Sequence, residues 1–228
     1  MMAEDTMRIP LAVAALSLAA LTAAADQEVT HSFSSSVRRG AIRRLVVDIP
    51  AGEVKVRNGA ADTIAIRGEI RRGFDGWRER PKQQRIADDV SAEIYVDGDE
   101  AVIRRRYGPN AHSWSARSFH NGFDLRVEVP PGVDVIVATK YGEVDLEGSF
   151  GNVECDLRAG EIRLRTPRAN VRDLSVSVRI GEAHANLGDR TIEKEGLFAG
   201  GITWANAGGK SDVRVHTTFG EVHVTLTR

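Results

Sequence analysis

A five-residue phrase recurs through the second half of this chain and leaves it few ways to fold. It reads glycine, polar, apolar, variable, apolar, and it starts at Gly142, Gly151 and Gly160, nine residues apart. Looser copies start at Gly52, Gly181 and Gly220. In an extended strand, alternate side chains point to opposite faces. The third and fifth positions then share one face: Val144 and Leu146, Val153 and Cys155, Ile162 and Leu164, Val222 and Val224. The second and fourth positions share the other and are mostly charged: Glu143 and Asp145, Asn152 and Glu154, Glu161 and Arg163, Glu182 and His184, Glu221 and His223. The glycine accepts a positive φ, or a close backbone approach, without a Cβ clash.

One such strand cannot bury its apolar row alone, so copies must stack. Two steps, about eighteen residues, approach the length of one coil of a β-solenoid. The expected fold is all-β: a right-handed solenoid-like stack over 123–228 that is sandwich-like at its N-terminal end, with hairpin meanders packed as two sheets the alternative, since they show a similar period. The region 26–122 carries the stronger hairpin signals, such as Asn58-Gly59 and Asp97-Gly98-Asp99, between alternating runs at 29–49, 63–70, 92–96 and 101–104. Two stretches break the rhythm, 71–89 and 107–122. The two regions are read as one continuous domain.

Residues 1–25 read as a signal peptide. Leu11 to Leu21 is apolar but too short to span a bilayer, and Ala23-Ala24-Ala25 supplies the small residues of a cleavage site. The acidic pair Glu4 and Asp5 is unusual there and makes Met7 an alternative start to Met1. The mature chain is expected to be exported to the periplasm, cell surface or medium, with no transmembrane segment. Without residues 1–25 the balance is 31 − 1 = 30 basic against 32 − 2 = 30 acidic residues. That neutrality argues against a nucleic-acid binder. Cys155 is the single cysteine and falls on an apolar position, so it reads as a small buried hydrophobe.

Two runs, Val127-Glu128-Val129-Pro130-Pro131-Gly132-Val133-Asp134-Val135 and Thr139-Lys140-Tyr141-Gly142-Glu143-Val144-Asp145-Leu146, resemble the bacterial "putative adhesin" family of β-strand-repeat domains. The resemblance covers roughly 40–228. It implies an exported repetitive β-fold and supplies no catalytic residues or cofactor. The insertions 71–89 and 107–122 depart from the plainest repeats of that family.

The chemistry-bearing candidates are few. The stretch 107–122 gathers Tyr107, His112, Trp114, Arg117, Phe119 and His120, and aromatics with polar neighbours suit contact with a protein partner or a glycan. The plainer reading is that its rings pin the loop to the sheet. The pairs Glu182/His184 and Glu221/His223 carry zinc-type donors. Thirty-nine residues separate them, however, and other copies place Lys55, Asp145, Glu154 or Arg163 at the histidine position, so no metal ligand is assigned. No nucleophile elbow, phosphate loop, dinucleotide fingerprint or zincin motif is present, and no catalytic residue or cofactor is assigned. The expected function is a non-catalytic adhesin, scaffold or interaction module of the cell envelope. Its partner would be an envelope protein or polysaccharide. A carbohydrate-active β-solenoid enzyme and an envelope-stress sensor or accessory subunit are the alternatives. The terminal strand Glu221–Leu226 is expected to leave an open edge for self-association.

Overall fold

The computed structural model describes residues 28–72, 85, 88–109 and 122–228. They form twelve strands: β1 (Glu28–Arg38), β2 (Arg44–Asp48), β3 (Ala51–Asn58), β4 (Thr63–Arg72), β5 (Val90–Asp97), β6 (Glu100–Tyr107), β7 (Phe123–Val129), β8 (Asp134–Glu147), β9 (Val153–Pro167), β10 (Val171–Asn186), β11 (Thr191–Ala205) and β12 (Ser211–Thr227). All belong to one mixed sheet whose main path is β1-β4-β7-β3-β8-β9-β12-β10-β11. The all-β class stands.

The long strands are two arms joined at a corner. In β9 the buried residues are Val153, Cys155 and Leu157, then Ile162, Leu164 and Thr166. The parity switches across Gly160, which a straight strand would not allow. β8 switches at Gly142, β10 at Gly181 and β12 at Gly220. β2 and β3 together are a fifth copy: β2 pairs with the first arm of β8 and β3 with the second. The pairings β3–β8, β8–β9, β9–β12 and β12–β10 are parallel and in register.

The corner requires glycine twice over. Gly52, Gly142, Gly160, Gly220 and Gly181 stand side by side in that ladder, with φ between 128° and 139°. A Cβ on Gly160 would lie 1.8 Å from the Gly142 carbonyl oxygen, and one on Gly220 1.9 Å from that of Gly160. Gly151, which shares the phrase in sequence, lies outside this column in the β8–β9 connection. The true corner-to-corner step in this part of the chain is thus the one from Gly142 to Gly160, twice the nine-residue phrase.

Apolar rows follow the same register. Val47, Val137, Cys155, Val215 and Val176 are strand neighbours, and all are buried. On the second arm Val56, Leu146, Leu164, Val224 and Ala185 repeat the arrangement. One hydrophobic core runs from Ile42 to Leu226, with Phe33, Tyr107 and Trp204 packed against it from the side. The positions read as inward-facing are buried throughout.

The C-terminal strand departs from expectation. β12 is not an edge: it lies between β9 and β10, bonded to both along its length. The chain runs from β10 into an antiparallel hairpin with β11, then returns to fill the slot between β9 and β10. Glu221–Leu226 therefore has no free ladder to offer a second copy. The ends of the main path are β1 and β11.

Candidate functional site: a charged face with corner aromatics

In-register parallel pairing puts like residues on like, and the outer face of the second arms shows the result. Following the strand neighbours, the row just past the corner reads Glu69, Asp124, Glu53, Glu143, Glu161, Glu221, Glu182, Glu195. This is a line of carboxylates across eight strands, spaced by about 4.8 Å per strand. Two residues along each strand lies a second row: Arg67, Arg126, Lys55, Asp145, Arg163, His223, His184, Glu193.

The second row offsets the repulsion within the first. Lys55 pairs with Glu53. Arg163 bonds Glu161 and lies 3.6 Å from Glu143. His223 Nε2 stands 3.3 Å from Glu221 and 3.6 Å from Glu161. His184 stands 3.2 Å from Glu182 and 3.6 Å from Glu193, and its hydrogen bond with Glu182 is the main influence raising its pKa. Arg57 grips Asp145 through both terminal nitrogens, at 3.1 and 2.6 Å, and reaches Glu147 at 3.2 Å.

The two Glu-x-His pairs, thirty-nine residues apart in sequence, are thus direct neighbours: Glu182 beside Glu221 and His184 beside His223. Their imidazoles stack with centroids 5.0 Å apart and planes within 4°. Sequence spacing hid this because the return of β12 beside β10 is a topological event. The signal that could have found it was the identical phrase, Gly-Glu-x-His, which parallel pairing superimposes.

Just before the corner glycines stand Tyr141 on β8 and Phe219 on β12, with Ala159 of β9 between them in register. Tyr141 is 44% exposed and Phe219 46%. Large rings held this far into solvent beside a carboxylate row form an amphipathic strip of the kind that ligands use. The repeat was read from its glycine onward, which left the preceding position out of consideration.

Of the aromatic stretch singled out in sequence, Tyr107 closes β6 and packs half-buried against the core. His112, Trp114, Arg117, Phe119 and His120 lie outside the described residues, as does most of 71–89. In the basic run Arg104-Arg105-Arg106 the outer two are exposed. Arg105 lies half-buried, 4.3 Å from the ring centre of Phe123, and desolvation pulls its pKa down. Cys155 is buried, and burial pushes its thiol far above the usual range, which disfavours the thiolate.

Two open grooves accompany the face. One, about 530 Å³, runs over β1, β4 and β7 between Phe33, Arg67, Glu69 and Arg126. The other, about 570 Å³, lies against Trp204 with Arg190, Asp212 and Arg214. The guanidinium of Arg168 stands 5.2 Å from the Trp204 ring centre.

No family model matches the chain, and no curated protein matches it significantly. Among solved structures, that of a "putative cell adhesion protein" from Clostridium sporogenes aligns over 86% of this chain and 99% of its own, at 9% identity and a TM-score of 0.46. Among the described residues, no helix is long and apolar enough to cross a membrane.

Proposed function

We propose that this chain is an exported, non-catalytic interaction module of the cell envelope. Its second arms form a rigid platform that holds an extended polymer, most simply a polysaccharide. The observation that carries this reading is the exposed pair Tyr141 and Phe219 alongside the carboxylate row. Rings stack on sugar faces or apolar partner surfaces, while the neighbouring acids and bases accept and donate hydrogen bonds. The platform is rigid because its spacing is set by backbone ladders and not by loops. The carboxylates are held by basic neighbours in a regular lattice, which suits a solvated binding face better than an acid/base pair. The glycine-cornered strands β3, β8, β9, β10 and β12 are proposed to follow one another as coils of a right-handed solenoid, with β12 the exception in order. Signal-directed export at residues 1–25 belongs to the same proposal.

The test uses the mature chain on immobilised envelope polysaccharide fractions, read by biolayer interferometry. Binding that falls at least tenfold in Tyr141→Ala/Phe219→Ala, with thermal stability unchanged, supports the reading. Absence of binding to every fraction, or binding indifferent to the double substitution, overturns it. Release of unsaturated or reducing sugar ends during the incubation would transfer the face to the carbohydrate-active enzyme reading.

A further inference from the structure

We propose that Glu161, Glu221 and His223 form a divalent-metal site of the zinc class on the outer face of β9 and β12. The inference is independent of the polymer-binding reading. Its basis is donor chemistry at the right spacing. One imidazole and two carboxylates are a zinc-type donor set. One donor atom from each of the three residues lies within 4.8 Å of the other two. His223 Nε2 is 3.3 Å from a Glu221 oxygen and 3.6 Å from a Glu161 oxygen. Two ligands about 2.1 Å from a tetrahedral zinc stand roughly 3.4 Å apart. The two separations from the imidazole, 3.3 and 3.6 Å, bracket that value, and the two carboxylate donors lie within 4.8 Å of each other, a gap that side-chain rotation can close.

The backbone explains the precision. Glu161 and Glu221 are register partners on adjacent parallel strands, each one residue past a corner glycine. His223 follows Glu221 by two residues and so projects from the same face. Supporting contacts surround the three. Arg163 holds the second oxygen of Glu161. His184 stacks flat on His223 and is itself fixed by Glu182 and Glu193. Fixed orientation of ligating side chains by such neighbours raises metal affinity. Arg163 and the stacked His184 stand beside the site, and among the described residues Glu143, Glu182 and Glu193 are paired with them, so the carboxylates offset those cations. The half-exposed position of Glu221 and His223 leaves the fourth coordination place to water. His184 acts through His223 and is a positioning residue here.

The experiment is a titration of the tag-free mature chain with zinc chloride by calorimetry, and with cobalt(II) by visible absorption. The expected result is one saturable site with the intense bands of tetrahedral cobalt. His223→Ala and Glu161→Gln should each abolish both signals, and His184→Ala should weaken zinc binding by about tenfold. Glu154→Gln, on the outer face of the other arm of β9, should bind as the parent does. Circular dichroism confirms that each variant is folded. The proposal is overturned if the folded parent gives no saturable heat, or if binding survives His223→Ala. Calcium binding of equal strength that ignores His223→Ala would also overturn it, because that result describes a carboxylate row attracting any dication.

Discussion

The parallel ladder β3–β8–β9–β12–β10 and the antiparallel hairpin β5–β6 are built from similar alternating strands, yet they organise charge in opposite ways. Across the hairpin, Glu93 faces Arg104, and Arg106 reaches Glu93 at 3.7 Å. Across the ladder, glutamate faces glutamate, glycine faces glycine and histidine faces histidine. Antiparallel pairing joins different parts of a sequence and lets opposite charges meet. Parallel pairing of a repeated phrase superimposes copies, so each position the copies share becomes a row, as the glycine and glutamate do, while the variable fourth position sets Lys55 beside Asp145 and Asp145 beside Arg163. The hairpin's charges are local pairs. The ladder's charges become a surface, set by the register of the strands and not by special loops.

The sharpest way to break this contrast is at the corners. Gly160→Ala puts a methyl group within 1.8 Å of the Gly142 carbonyl oxygen at a φ of 139°. Neither can yield, because each neighbour in the column is itself backbone. We expect a loss of about 4 kcal/mol or more, or failure to fold. Gly98, in the β5–β6 turn, also has positive φ, at 61°, but a Cβ there meets nothing within 4 Å. Gly98→Ala should cost only about 1 kcal/mol, the ordinary left-handed penalty. Urea denaturation of the two variants measures both. Equal costs would mean that the corner column is not a close-packed element.

A second test lies inside the ladder. The row Thr139, Leu157, Thr217, Val178 is buried, and its two threonines differ. Thr217 Oγ1 donates to the Phe219 carbonyl at 3.3 Å, whereas Thr139 Oγ1 is buried with no hydrogen-bond partner among the described residues. Thr139→Val should therefore stabilise by about 1 kcal/mol, and Thr217→Val should not. Matching gains from both would show that the hydroxyl of Thr217 gives nothing.

Most of the architecture was legible in the sequence for one physical reason. Burial alternates with period two, so the third and fifth positions of each phrase announce the core, and the glycine announces the corner except at Gly151, which lies in a connection. The order of strands was not legible. Nothing local in Ser211–Thr227 says that it inserts between β9 and β10, since its apolar pattern suits an edge and an interior place equally. The stacked histidines depend on the same order: the shared phrase Gly-Glu-x-His allows their alignment, and only the placing of β12 beside β10 makes it. Tyr141 and Phe219 were hidden differently, because the five-residue phrase begins at its glycine and assigns no face to the residue before it; there the two rings are 44% and 46% exposed.

The smallest effect tests the origin of the charged face itself. Glu143 stands between Glu53 and Glu161 in the carboxylate row, 53% exposed, with Arg163 at 3.6 Å. Glu143→Gln removes two like-charge neighbours and one long attraction, and Arg163 keeps its bond to Glu161. The expected result is a gain of about 0.5 kcal/mol that shrinks as salt is added, because exposed charges are screened. Glu93→Gln in the hairpin removes attraction from Arg106 and gains nothing, so it should lose a similar amount with the opposite salt trend. If both substitutions destabilise, the basic second row more than neutralises the first, and the face is held together by its charges. If the signs differ as expected, the row stands against its own repulsion, and the backbone ladder with its in-register pairing holds it in place.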